Sequence, residues 1–298
     1  MKRVSIGLVG MMLLCGMLVA MIPLGMSIDG MSIGNDRSTV LDTDLNVLVS
    51  SIAYSEVSQG ISQKPSHYAL IIGISDYKAI GDLNFCDEDA NDWYDYLTQI
   101  GYDDIVILGD NTSSYTKFDG IATEHNVKQA LIDLVSKAGP KDTIAFISSG
   151  HGSGDSRGSS LLCMWDITAG EDGEDGYFWD VEVADILEHA IADRIFVFLD
   201  HCFAGGFGDE LMSMPNSENI YFASTCDIMG MGWDAGDYQN GMWTYFFLEY
   251  TLIEIFNSDP QTEMEIAFDI AAAAYPFPKG AHHPQEYDGD PVGPFLLW

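Results

Sequence analysis

Residues Asp193–Cys202 read DRIFVFLDHC, and this stretch places an apolar strand directly before a run of polar side chains. Its centre, Ile195–Leu199, is continuously apolar, which is typical of a strand covered on both faces of a parallel sheet. The run stops at Asp200, His201 and Cys202, and a Gly-Gly pair follows shortly afterwards. We therefore predict a strand end that presents a thiol beside a flexible turn.

The same alternation of short apolar runs and helical periodicity extends over most of the chain. Four further strands are predicted: HYALIIGISDY (67–77), DDIVILGD (103–110), DTIAFISSGHG (142–152) and NIYFASTC (219–226). Helices are predicted over 87–101, 123–139, 181–191, 241–256 and 263–275, with Thr123 as an N-cap and with Gly101 and Gly139 as stops. Strands that alternate with helices predict an α/β fold with a mostly parallel sheet flanked by helices.

The composition limits the partners that the protein can bind. The chain has 298 residues, of which 47% are hydrophobic, and it carries 12 basic against 46 acidic residues, a formal net charge of -34. Because so few basic side chains are available to neutralise phosphates, we expect no nucleic-acid partner. An anionic membrane surface is disfavoured for the same reason.

The N-terminus has the pattern of a secretory signal. Lys2 and Arg3 precede an uncharged apolar run that lasts until Asp29. We expect residues 1–28 to be a signal peptide or membrane anchor, 29–65 a pro-segment or linker, and 66–298 one catalytic domain. The expected location is secreted or extracytoplasmic, with membrane contact only through the N-terminal segment.

Cysteine spacing suggests neither a zinc site nor a redox pair. Outside the N-terminal run the cysteines are Cys86, Cys163, Cys202 and Cys226, with no CxxC pair among them. Two disulfides are compatible with export. If one of the four is a working thiol, at least one other must stay out of a disulfide.

Two strand ends carry the chemistry. His151 lies between two glycines after the third predicted strand, and Cys202 follows the fourth. A cysteine nucleophile needs a nearby base, because the thiolate is the reactive species and a free thiol ionises only near pH 8.5. We predict a His151–Cys202 dyad, with the backbone amides of Gly152 and Cys202 as an oxyanion hole.

These motifs resemble those of the caspase-like cysteine peptidases, the group of caspases, metacaspases, paracaspases and legumains. The matching pieces are YALIIGISDY, FCDEDANDW, SSGHG, LDHCFAGG and ASTCD, within a segment covering roughly three quarters of the chain and most similar in motif to metacaspase-like enzymes. The resemblance implies a caspase-hemoglobinase-like three-layer sandwich with a central sheet of about six strands. It also implies peptide hydrolysis by a Cys–His dyad without a cofactor in the chemical step.

Two residues depart from the family pattern. His201 and Phe203 flank the cysteine where caspases and metacaspases have small or polar residues. Neighbouring residues of a strand point to opposite faces, so we expect His201 to be structural rather than a rival base.

The resemblance also directs the specificity prediction. Metacaspases select Arg or Lys with carboxylates, which Asp200 and Asp89 match, and Asp227 is a third candidate. Caspases select Asp with arginines, yet no Lys or Arg occurs between Phe203 and Pro278. We predict cleavage of peptide or protein substrates after Arg, then Lys.

A consequence concerns maturation. The segment GDELMSMPNSE (208–218), which follows the cysteine, contains neither Lys nor Arg. A protease specific for basic residues is therefore not expected to cut itself there, and Arg37, Lys64 or Arg157 are the alternatives.

Calcium is the one metal that the sequence suggests. Asp172, Glu174, Asp175 and Asp180 form the densest acidic stretch, and hard oxygen ligands suit Ca²⁺. The resemblance supports this, because many metacaspases need Ca²⁺. A solvated acidic turn explains the same residues.

Other functions stay open at this point. The chain has no G-x-S-x-G elbow, Walker A or H-E-x-x-H motif. The remaining alternatives are a catalytically silent caspase-like binding module and a caspase-like peptidase with Asn or Asp specificity.

Overall fold

A computed structural model describes residues 64–110, 113–155 and 157–298. The predicted signal segment 1–28 lies outside the described residues, and so does the predicted pro-segment except for Lys64 and Pro65. The expected division of the chain at these positions therefore stays a prediction. Among the described residues, none of the helices has the length and apolar character needed to span a membrane.

Seven strands form the central sheet, in the order β12-β9-β8-β4-β1-β2-β3. Every neighbouring pair is parallel except β12 with β9. The strands are β1 His67–Gly73, β2 Asp104–Gly109, β3 Gly120–Ile121, β4 Thr143–Ser149, β8 Arg194–Asp200, β9 Ile220–Ser224 and β12 Gln285–Asp288.

Helices cover both faces of this sheet. They are α1 Cys86–Ile100, α2 Glu124–Lys137, α3 Asp180–Leu187, α4 Phe207–Ser213, α5 Met242–Thr244 continued by π-helical Tyr245–Ile255, and α6 Met264–Ala274. One buried apolar cluster joins α2, α3 and α4 to the sheet, and a second joins α1, α5 and α6 to its other face. Alternate residues of one strand enter different clusters, as Leu70 and Ile71 do.

Two small antiparallel sheets stand beside the carboxyl ends of the central strands. One contains β5 Gly152–Gly154, β6 Ser160–Cys163 and β7 Tyr177–Trp179, and the other contains β10 Asp234–Ala235 and β11 Asn240–Gly241. The segment between His151 and α3, for which no strand is predicted from the sequence, is thus partly β-structure.

The predicted α/β sandwich with a mostly parallel sheet is confirmed, with seven strands instead of about six. The strands β3 and β12 are not predicted from the sequence. β3 has only two residues, and β12 is the mostly polar edge sequence QEYD. Thr123 caps α2, since its Oγ1 accepts the Asn126 N–H at 3.2 Å. Gly101 ends α1 at φ 100°, whereas α2 ends at Lys137, before Gly139.

Candidate active site

The strand ends that carry His151 and Cys202 meet. β4 and β8 are parallel neighbours in which Ser149 pairs with Asp200. His151 and Cys202 therefore each lie two positions beyond this last pair. A Cβ built on Gly152 would lie only 2.0 Å from the Cys202 carbonyl oxygen. The glycine after the histidine is therefore required by close backbone approach to the cysteine.

The turn after Cys202 is sharply bent. Phe203 has φ 61°, the left-handed region that a non-glycine residue adopts only when the surroundings hold it there. Its N–H donates to the Gly230 carbonyl at 2.9 Å. The half-buried Cys202 thiol donates to the Gly232 carbonyl at a sulfur–oxygen distance of 3.8 Å. The loop after β9 therefore borders the thiol.

The His151 side chain is held in one tautomer. Its Nε2–H donates to the Gly81 carbonyl at 2.9 Å, because a carbonyl can only accept. Nδ1 is then the ring nitrogen that takes up and releases a proton. Burial lowers the pKa of His151, while the Gly81 hydrogen bond and the charges of Asp234 and Asp82 oppose that shift.

His201 lies beneath the sheet end, in the position expected for a structural residue. It is 1% exposed, its Nδ1–H donates to the His151 carbonyl at 3.0 Å, and Ser148 Oγ donates to its Nε2 at 2.8 Å. Burial lowers the pKa of His201 to about 4, so the ring is neutral. Both ring nitrogens are occupied by these contacts.

Asp89 and Asp200 are brought together near the strand ends that carry His151 and Cys202. A Cβ added at Gly241 would lie 2.4 Å from Asp200 Oδ2 and 2.6 Å from Asp89 Oδ2, so these oxygens are at most about 5 Å apart. Both carboxylates are buried, at 0% exposure for Asp89 and 5% for Asp200. Glycines at 232 and 241 leave the space beside Asp200 without side chains.

Hydrogen bonds orient both carboxylates of the pair. Asp89 accepts the Ser149 hydroxyl and the Gly241 N–H, the latter at 2.8 Å. Asp200 Oδ2 accepts the N–H of Thr244 at 2.9 Å and its hydroxyl at 3.2 Å. The side chains are therefore fixed before any ligand arrives.

The electrostatics of the pair are unfavourable. Burial, and then the charge of Asp200, raises the pKa of Asp89 well above its usual range. Burial raises the pKa of Asp200 to about 6, and the charge of Asp234 adds to that shift. No ion pair of the described residues involves Asp89 or Asp200. A bound cation would stabilise both ionised forms.

Asp227, the third predicted specificity residue, is placed differently. Its N–H donates to the Ala281 carbonyl at 2.9 Å, and its Oδ1 accepts the Ile228 N–H at 2.7 Å. It lines a groove of about 950 Å³ bordered by α6 and the segment before β12. Among the described contacts, Asp227 does not touch Asp89 or Asp200.

Asp234 is a site residue that the sequence analysis missed. Its Oδ2 accepts the N–H of Asn84 at 2.7 Å and the side-chain amide of Asn84 at 3.0 Å. It pairs in register with Gly241, and burial raises its pKa. The two-residue strands β10 and β11 are too short to give a periodic signal in the sequence.

The predicted oxyanion amides lie where the two strand ends touch. Gly152 opens β5, and Cys202 precedes the left-handed Phe203. The assignment of these two amides stays a prediction.

The four predicted calcium ligands do not converge. Glu174 Oε2 accepts a hydrogen bond from Lys128 Nζ at 3.0 Å. Asp180, 1% exposed, accepts the backbone N–H groups of Ser160 and Val181. Asp175 Oδ1 accepts the Tyr177 N–H at 3.1 Å. In the described residues, no group of three or more His, Cys, Asp or Glu side chains is arranged to hold a metal ion.

Glu124 and Lys128 organise the acidic loop instead. Glu124 Oε2 accepts the N–H groups of Asp175, Gly176 and Tyr177 at 2.7–3.1 Å. Lys128 forms ion pairs with the carboxylates of Glu124, Glu174 and Glu182. A lysine side chain of α2 therefore supplies positive charge next to this part of the loop.

The four cysteines of the described residues, Cys86, Cys163, Cys202 and Cys226, form no disulfides. Cys226 is fully buried, its thiol donates to the His201 carbonyl at 3.4 Å, and burial raises its pKa to about 12. The two disulfides that export allowed are therefore not formed.

Part of the chain is similar in sequence to a known family. Residues 67–210 match the family described as Metacaspase, peptidase C14 domain. Metacaspase-1 of Saccharomyces cerevisiae is 33% identical over 145 residues, which are 46% of this chain and 33% of that protein. Metacaspase-1 of Kluyveromyces lactis is 37% identical over 87 residues, 28% of this chain and 19% of that protein. The matches thus span about a fifth to a third of these relatives' lengths.

The fold also matches a solved structure. The crystal structure of protein GSU0716 from Geobacter sulfurreducens aligns with a TM-score of 0.55 over 75% of this chain and 93% of that one, at 18% identity. At this identity the likeness concerns the fold alone.

Proposed function

We propose that this chain, of which residues 67–210 match the metacaspase peptidase C14 domain, is a cysteine endopeptidase that cleaves after Arg and, less efficiently, after Lys. The observation that carries the proposal is the meeting of two strand ends, where Gly152 contacts Cys202, beside the buried carboxylates of Asp89 and Asp200.

In the proposed reaction, Cys202 and His151 divide the chemistry. The thiolate sulfur of Cys202 attacks the scissile carbonyl carbon, and the carbonyl π-electrons move to oxygen. The C–N bond then breaks as the His151 imidazolium protonates the leaving amine, which leaves a thioester. His151 next removes a proton from water, whose oxygen attacks the thioester and releases the acid and the thiolate.

The S1 pocket in this proposal contains Asp89 and Asp200. A cation between two buried carboxylates relieves the repulsion that raises their pKa values, so the charge of the substrate would replace a missing counter-ion. The planar guanidinium group can bond both carboxylates at once, whereas an ammonium group is a single point charge. This difference is the reason to expect Arg before Lys. Acidic side chains would be repelled, which argues against Asp specificity.

Active-site labelling tests the proposal most directly. A peptidyl chloromethyl ketone with Arg at its reactive end should alkylate the wild-type protein and Cys163→Ala, but not Cys202→Ala. Cys163 is a suitable control because it is a buried cysteine of another strand, β6. An unreactive Cys202 in folded protein would favour the silent binding module.

Substrate comparison tests the specificity separately. We expect matched peptides with Arg to be cleaved fastest, Lys more slowly, and citrulline, Asn and Asp hardly at all. Citrulline keeps the shape of Arg without its charge. Equal turnover of the Arg, Asn and Asp peptides would contradict an acidic S1 pocket.

Calcium is not assigned a role in this chemistry. The geometry around Asp172, Glu174, Asp175 and Asp180 gives a calcium site no support, and the proposed chemical step uses no cofactor. Activity measured with EGTA and with added Ca²⁺ tests a calcium requirement.

Export is proposed from the N-terminal sequence alone, where Lys2 and Arg3 precede the apolar run. Expression with and without residues 1–28, followed by fractionation and intact-mass measurement, tests it. Equal distribution of both forms would contradict the proposal.

A further inference from the structure

The loop between β1 and α1 holds His151 at two points. The hydroxyl of Tyr77 accepts the backbone N–H of His151 at 2.7 Å, and the Gly81 carbonyl accepts the Nε2–H of its ring at 2.9 Å. One contact fixes the main chain of His151 and the other fixes its side chain. Both come from a single loop, Ser75–Leu83.

Tyr77 also packs against the ring of His151. The two ring centroids are 5.0 Å apart with planes inclined by 43°. Tyr77 is 8% exposed, so a buried aromatic ring lies beside the imidazole. The charged groups that act on His151 are Asp82 and Asp234, and neutral His201 lies beneath it.

The glycine before His151 is complementary to the Tyr77 hydroxyl. A Cβ at Gly150 would lie 2.6 Å from Tyr77 Oη. Gly150 does not have a positive φ, so glycine is required here by the lack of space for a side chain and not by the backbone conformation. Gly150 and Tyr77 therefore depend on each other sterically.

The loop itself is firmly held. The Tyr77 N–H donates to Asp82 Oδ1 at 3.0 Å, and the Leu83 N–H donates to the Ser75 carbonyl at 2.8 Å. Asp110 Oδ2 accepts the N–H groups of Ser75 and Asp76 at 2.9 and 2.8 Å. Tyr77 thus projects from a closed loop anchored to the end of β2, which makes it a preorganised support.

We propose that Tyr77 is a positioning residue of the active site, which fixes the main chain and ring plane of His151 relative to Cys202. The inference rests on the proposed function. The contacts described for Tyr77 are with His151 and its own loop, and the proposal gives it no contact with the substrate, so it acts through His151.

Tyr77→Phe removes the hydroxyl and keeps the ring. Tyr102→Phe is the matched control, because Tyr102 is also 8% exposed but lies beyond α1 against His67, with no hydrogen-bond partner for its hydroxyl among the described residues. Loss of one positioning hydrogen bond should lower kcat about tenfold with KM within about twofold. Tyr102→Phe should leave both constants within about twofold.

A second readout does not need peptide cleavage. The pH dependence of Cys202 alkylation by iodoacetamide reports how His151 stabilises the thiolate, and we expect Tyr77→Phe to shift this profile while Tyr102→Phe does not. Loss of stability alone would lower the amount of folded protein without moving the pH midpoint of Cys202 alkylation. An inactive wild type would refute the proposed function, yet this profile would still test the role of Tyr77.

Gly150→Ala supplies a steric test. It should damage activity by pushing against the Tyr77 hydroxyl, and Tyr77→Phe in the same chain should relieve part of that defect. The double variant should therefore be more active than the product of the two single effects. The proposal is overturned if Tyr77→Phe, at equal folded fraction, matches the wild type in kcat and in the alkylation profile. Strictly multiplicative effects would overturn the proposed steric pairing.

Discussion

The carboxylates of Asp89 and Asp200 meet beside Gly241, where an added Cβ would lie 2.6 Å from one and 2.4 Å from the other. They come from α1 and from the end of β8, more than 100 positions apart in the chain. Two buried like charges at this distance disfavour each other, and a cationic ligand between them would relieve that repulsion.

Asp89→Asn and Asp200→Asn should each lower kcat/KM for Arg peptides by about 100-fold, because each removes a charge that would bond the guanidinium group. Asp227→Asn should stay within about twofold, since its described contacts lie elsewhere. Peptide kinetics at saturating and limiting substrate measure this. Iodoacetamide should still alkylate Cys202 in all three variants, and an equal loss in Asp227→Asn would show that the pocket is differently composed.

The pH dependence of activity and of stability should have opposite signs. Because burial raises the pKa of Asp200 to about 6, kcat/KM for Arg peptides should fall as the pH decreases through that value. The same raised pKa contributes stability that is present below the unfolded pKa, near 3.9, and lost as the pH rises through about 6.

Asp200→Asn should therefore stabilise the protein at pH 8, by about 2–3 kcal/mol, and should give no such gain near pH 4. Thermal unfolding at the two pH values measures the difference. Equal shifts at both would mean that ionisation of Asp200 is not responsible.

His151→Gln and His201→Gln should separate chemistry from structure. His151→Gln should abolish peptide cleavage with little change in the unfolding midpoint. His201→Gln disrupts contacts to Ser148 and the His151 carbonyl and should cost about 2 kcal/mol of stability. Calorimetry and single-turnover kinetics on the folded fraction measure both. A stable but inactive His201→Gln would make His201 part of the chemistry.

Lys128→Met should loosen the acidic loop. Lys128 is only 15% exposed at its side chain and pairs with three carboxylates, so its loss should cost about 2–3 kcal/mol. Lys137→Met is the control, because its pair with Asp104 is about half exposed and should contribute less than about 1 kcal/mol. Denaturant unfolding compares them, and equal costs would argue against an organising role for Lys128.

Self-cleavage should avoid α4 and the segment after it. This region, 207–220, has no Lys or Arg, and most of it is helical or turn structure leading into β9. Intact-mass analysis after prolonged incubation should show no fragment that starts there. Such a fragment, absent in Cys202→Ala, would contradict specificity for basic residues.

Much of the fold and part of the site could be predicted from the sequence. Continuous apolar runs such as Ile195–Leu199 and helical spacing in α1 are local patterns. They can be recognised without knowing which strands or helices pack against them. The glycines at the strand ends likewise identify His151 and Cys202 as candidate catalytic residues without the register of β4 and β8. The edge strand β12 was missed because a short polar strand has almost no periodic signal.

The sequence by itself determined the alternation of strands and helices, the acidic excess and the chemistry available at each strand end, because each depends on residue identity and short-range spacing. Only the tertiary structure decided which carboxylates meet, since Asp89 and Asp200 converge while Asp227 does not. It likewise brought Tyr77 and Gly81 to His151, from a loop more than 60 residues away. Contacts of this kind follow from strand order and loop closure, which residue identity alone does not express.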